Sequence, residues 1–183
     1  MAEHVLDTLE QLARREPMRA GLRVRFGWSQ LTLIGTDGGD LTVCEPDFDR
    51  DPLRDTRPRL ETTLDVIAAQ ATFVRHTGLA PVDVFFDQYL VVARGALAAS
   101  AVQLYRDPAA RADDSGWSVT AQGSPPAEDA ADAWDGARVF TLLRSRPSLL
   151  RVLALPPGCV VVLEGDRVTD VLDSGGRKRT GDR

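Results

Sequence analysis

Apolar positions near the N-terminus fall at Val5, Leu6, Leu9, Leu12 and Ala13. This stripe predicts an amphipathic helix over 3–16, which Pro17 ends. From Leu22 the period changes to two: Leu22, Val24, Phe26 and Trp28 alternate with Arg23, Arg25, Gly27 and Ser29. That is the pattern of a half-buried strand, with Trp28 in an N-terminal core. Apolar runs at 31–34 and 41–44 flank Thr36-Asp37-Gly38-Gly39, a hairpin signal. Residues 45–58, rich in proline and acids, read as an exposed connection. Leu60, Leu64, Ile67, Ala71 and Val74 then mark one face of the longest helix, over 59–76, with Gly78 and Pro81 as its exit.

Strand patterns follow at 82–86, 89–93 and 102–106, and the alanine-rich 96–102 is open between helix and strand. In Asp113-Asp114-Ser115-Gly116-Trp117 the Ser-Gly pair predicts a chain reversal that sets a large indole beside carboxylates. A mobile connection is expected over 118–135. Val139, Leu142 and Leu143 form a short helical stripe that breaks before Pro147, and a second helical segment runs from Leu149 to Leu153. Residues 159–163 and 167–171 form a final hairpin around Glu164-Gly165-Asp166, and the basic tail from Arg177 is expected to fray. The fold class expected is α+β, with mixed or antiparallel sheets, packed helices and two lobes sharing a core. No βαβ rhythm calls for a doubly wound sheet.

Composition narrows the function. The chain has 183 residues, 43% of them hydrophobic, and a net charge of -5. It can bury a sizeable core and has no general attraction for nucleic acid or anionic lipid. No apolar run reaches the roughly 20 residues needed to cross a bilayer. The N-terminus is acidic where a secretory leader would be basic, so a soluble cytoplasmic protein is expected. Cys44 and Cys159 lack ligand spacing and read as buried free thiols. Neither His4 nor His76 stands in a metal-binding motif. No metal or cofactor is expected. Gly35, Gly38 and Gly39 lack the lysine and spacing of a phosphate loop. Asp113 and Asp114 are adjacent, but nothing in the sequence brings them together on one bond, as carboxylate hydrolysis requires.

Three segments carry a family likeness: Val91-Val92-Ala93-Arg94-Gly95, Leu104-Tyr105-Arg106 and Asp114-Ser115-Gly116-Trp117. With the helix at 139–143 and the apolar run 160–163 in compatible order, residues 89–173 resemble the immunity protein 33 family, a domain formerly of unknown function. The resemblance implies a non-enzymatic protein that neutralises a cognate bacterial toxin by binding it, with no catalytic residue. Residues 1–88 then form an N-terminal α+β region and 174–183 a basic flexible tail. The candidate partner-binding set is Tyr105, Arg106, Asp113, Asp114 and Trp117, because desolvated aromatic and arginine side chains concentrate binding energy while acids orient a basic partner. The alternatives are a housekeeping or regulatory module whose Asp-Ser-Gly-Trp segment serves its own fold, and a carboxylate-dependent hydrolase. The oligomeric state and the partner's identity stay open.

Overall fold

Gly27 turns the predicted strand into a hairpin. Strand β1 (Arg23–Phe26) pairs antiparallel with β2 (Ser29–Gly35), Phe26 standing opposite Ser29. Gly27 takes φ 56°, the positive angle that a tight two-residue turn of this kind needs at its first central position. Trp28 therefore sits in the turn rather than within a strand, as its alternation had suggested. It is nonetheless buried: its indole stacks on Phe48 at 5.2 Å and donates Nε1–H to the Thr63 carbonyl at 3.3 Å.

The computed structural model describes residues 2–14, 17–36, 38–123 and 131–179. Asp37 of the predicted turn, 124–130 of the predicted connection and 180–183 of the tail lie outside them. The fold is mixed α+β, and the chain divides into two compact units, Met1–Ala68 and Ala69–Arg183.

In the first unit, α1 (Ala2–Ala13) supplies Val5 and Leu9 to a core shared with Phe26, Leu31 and Leu33. Leu6, placed on that stripe by the sequence, is exposed. The antiparallel sheet runs β1-β2-β3-β4, with β3 at Leu41–Pro46 and β4 at Thr56–Arg57. The stretch read as an exposed connection is therefore partly built in. Phe48 and Pro52 are buried, and Glu45 is wholly so. Its carboxylate accepts the Thr63 amide at 2.7 Å and Arg57 Nε–H at 3.0 Å. Pairing and hydrogen bonding are what let a charge remain inside.

Helix α2 (Glu61–Thr77) spans the division between the units. Its buried positions are Thr63, Val66, Gln70, Phe73, Val74 and Thr77, whereas Ala71 is exposed and Leu64 and Ile67 are half-buried. The predicted stripe thus holds at Leu60, Leu64 and Ile67, which pack against the first unit's core, and at buried Val74, and fails at Ala71. Gln70 and Thr77 are buried because the backbone satisfies them: Gln70 donates to the Leu150 carbonyl at 3.0 Å and Thr77 to that of Val74 at 2.8 Å.

The second unit is built on a seven-stranded mixed sheet. Its strands are β5 (Tyr89–Ala93), β6 (Ala101–Arg106), β7 (Asp114–Ala121), β8 (Trp134–Arg138), β9 (Val160–Glu164), β10 (Arg167–Leu172) and β11 (Lys178–Arg179), in spatial order β11-β10-β9-β6-β7-β5-β8. Only β5 and β7 run parallel. Residues 118–121 and 134–135 of the expected mobile connection are strand. The tail is tied as far as Arg179, through β11 and through Asp173, which accepts the amides of Gly175 and Arg177 and the Arg179 guanidinium. Residues 82–86, predicted as strand, are irregular, although Val84 and Phe86 are buried. Helix α3 (Leu142–Ser145) and a 3-10 segment, Pro147–Val152, supply buried Leu142, Leu149, Leu150 and Val152. Cys44 and Cys159 are free and buried, and burial pushes both thiols up from their ordinary value.

Candidate functional site

The Asp-Ser-Gly-Trp segment lies within β7 and does not reverse the chain; the reversal occupies 107–113. Between the pairs Tyr89–Asp114 and Val91–Ser118, β5 advances two residues while β7 advances four. The extra residues form a bulge around Gly116 at φ 75°. A side chain there would run into the Asp107 carbonyl oxygen. Asp107 N–H in turn donates to the Gly116 carbonyl at 2.8 Å.

Strand alternation then sorts the candidate residues onto two faces. Trp117 is 1% exposed and Arg106 5%. They stand opposite each other on β7 and β6, the guanidinium 5.7 Å from the indole centroid. The indole donates to the Leu153 carbonyl at 2.9 Å. The guanidinium donates to the same carbonyl at 3.0 Å, to Leu155, to Val82 at 3.1 Å and to Asp83 at 3.3 Å. Burial lowers the Arg106 pKa to about 10, the cost of holding a cation among neutral dipoles. Arg106 thus takes up the carbonyls of 82–83, and the Val82 amide donates to Ala154, which explains why this segment joins no ladder. Both side chains point inward, so they shape the site from beneath.

Tyr105 and Asp113 are exposed and Asp114 is half-buried. The Asp114 carboxylate receives the Gly116 amide at 2.8 Å and the Ala110 amide at 3.1 Å, closing the loop between β6 and β7. Gln88 fastens the loop from the other side, donating to the carbonyls of Ala112 at 2.9 Å and Asp114 at 3.1 Å. The five candidates are neighbours in the fold, split between an outer set and an inner support.

Two surface residues escape a reading confined to the tetrad. Tyr89 and Val91 are 39% and 43% exposed, and Tyr105 is 39% exposed. Val91 and Tyr105 both pair with Ser118, so the three lie in one cross-strand row, and Val160 opposite Tyr105 extends it. Arg138 lies 4.0 Å over the Tyr89 ring. The alternation of Tyr89 and Val91 with buried Leu90 and Val92 was the available signal. Among the described residues, no group of three His, Cys, Asp or Glu could hold a metal ion, and no helix is long and apolar enough to cross a membrane.

These features define an α+β protein whose larger sheet is buried on one face and, around Tyr89, Val91 and Tyr105, exposed on the other. The chain belongs to the Imm33-like family, whose domain model matches residues 69–174, nearly the whole second unit. No curated protein and no solved structure matches this chain.

Proposed function

We propose that this chain is a non-enzymatic, cytoplasmic protein-binding module that neutralises a cognate bacterial toxin by occupying it. Membership of an immunity-protein family over residues 69–174 carries this reading. Tyr105 and Asp113 are its exposed contacts. Asp114 holds the loop that presents them, while Arg106 and Trp117 fix the strands below. A binder needs no reacting group; it needs a rigid, accessible surface with buried support. The direct test is co-expression with any toxic domain found encoded beside the chain's gene. Survival restored by the wild-type chain supports the reading, and undiminished killing at equal expression refutes it.

One observation favours a second reading. The burial of Trp117 and the amide bonds of Asp114 suit a housekeeping or regulatory module whose tetrad serves its own fold. In that case the wild-type chain gives no protection in co-expression, and substitutions at Trp117 or Asp114 change stability alone.

A further inference from the structure

We infer that the open face of the seven-stranded sheet is the docking surface, and that its occupant is a basic segment of the toxin presenting an apolar side chain beside a lysine or arginine. This rests on the toxin-neutralising reading and specifies where and what it binds. Three of the chain's exposed large apolar side chains, Tyr89 and Val91 on β5 and Tyr105 on β6, gather on this face on either side of β7. An open sheet face more commonly carries polar residues, and aromatic side chains outside a core are enriched where proteins meet.

The charge beside this row is acidic. Asp114 stands directly opposite Tyr89, and Asp107 and Asp113 are exposed in the adjoining loop. Arg111 is that loop's single cation. Arg138, held over the Tyr89 ring and donating to the Asp87 carbonyl, is the second cation here, so three carboxylates stand against two guanidiniums. A cationic partner therefore meets complementary potential, whereas a second copy of this chain would bring acidic rims together.

Tyr89 and Tyr105 are the chain's only two tyrosines, so tyrosine nitration read by mass spectrometry reports on this face alone. With the purified toxic domain from the co-expression test, both rings should be nitrated in the free chain and protected in the complex. Val91→Arg should weaken binding by about tenfold or more. Asp113→Lys should slow association and flatten its salt dependence. Ile34→Arg, at an equally exposed apolar position on the other sheet, should stay within about twofold of wild type. Neutralisation by wild type with both tyrosines still reactive, or with Val91→Arg binding undiminished, overturns the assigned surface and leaves the toxin reading standing. Failure of wild type to bind the domain at all overturns both. Protection that appears in the free chain with rising concentration, and is lost in Val91→Arg, identifies a second copy as the occupant and overturns the assignment to a toxin.

Discussion

Arg106 and Trp117, opposite each other on adjacent antiparallel strands, donate to one carbonyl, that of Leu153. A strand pair is thereby clamped to a segment that belongs to no strand. Trp117→Phe keeps most of the ring but withdraws one donor. It should lower stability by about 1–3 kcal/mol, and Trp117→Ala by about 3–5 kcal/mol. Arg106→Met removes a desolvated charge but orphans several buried carbonyls, so it too should destabilise, by roughly 2–4 kcal/mol. Urea unfolding checks all three. If Arg106→Met proved stabilising, the cation's desolvation would outweigh its hydrogen bonds.

Gly116 is the second fixed point of this locus. Its φ of 75° and the nearby Asp107 carbonyl leave no room for a side chain. Gly116→Ala should cost on the order of 2–3 kcal/mol and loosen the 107–113 loop, reducing amide protection at Ala110 and Gly116. Gly165→Ala is a control for angle alone, because its φ is 57° but its surroundings are open. Equal losses at both positions would show that close approach at Gly116 contributes nothing.

Strands β5, β6, β9 and β10 were legible because period-two alternation survives there, whereas β7 and β8 were read as a reversal and a mobile connection and β11 as part of a fraying tail. The family resemblance was legible through short motifs, the Asp-Ser-Gly-Trp tetrad above all. Alternation even sets Arg106 on the inward face with Val102 and Leu104, and Tyr105 on the outward face with Gln103. What hid the inward role of Arg106 was its charge: composition assigns an arginine to the surface, and only tertiary structure supplies the carbonyls that permit burial. The same holds for Glu45, buried within an acidic stretch by Arg57, and for Gln70 on the inward face of α2. Gly27 was read as the polar member of an alternating run, so the hairpin it makes was missed. The division at Ala68 was invisible because α2 continues through it without a break in pattern.

Glu45 and Arg57 provide a test of that buried pair. Arg57 bonds Glu45 at 3.0 Å and Thr62 Oγ1 at 2.6 Å, and also pairs with Asp49. Arg57→Met strands a fully buried carboxylate and should destabilise by about 3–5 kcal/mol. Glu45→Gln retains an acceptor for the Thr63 amide and should cost only about 1–2 kcal/mol. In the double variant the losses should fall well short of additive, because no charge is left unpaired. Thermal unfolding of the four proteins measures the coupling; strict additivity would mean that the pair contributes no interaction of its own.

Asp173 makes the closing segment of the larger sheet acid-sensitive. Its carboxyl is held below the usual value of 3.8, first by the Arg177 amide, with the Arg179 guanidinium and the Gly175 amide adding to the effect. A carboxylate depressed in the folded state contributes stability above its unfolded value and loses it as pH falls through the folded one. The hold on β11 should therefore persist through neutral and mildly acidic solution and fail only below 3.8. Amide exchange at Gly175 and Arg177, followed from about pH 6 to about pH 2, should show local opening ahead of the loss of tryptophan fluorescence. Asp173→Ala should open the same amides at neutral pH, and Asp173→Asn should abolish the acid step. If the amides of the wild type exchange only with global unfolding, Asp173 is not what closes this end of the sheet.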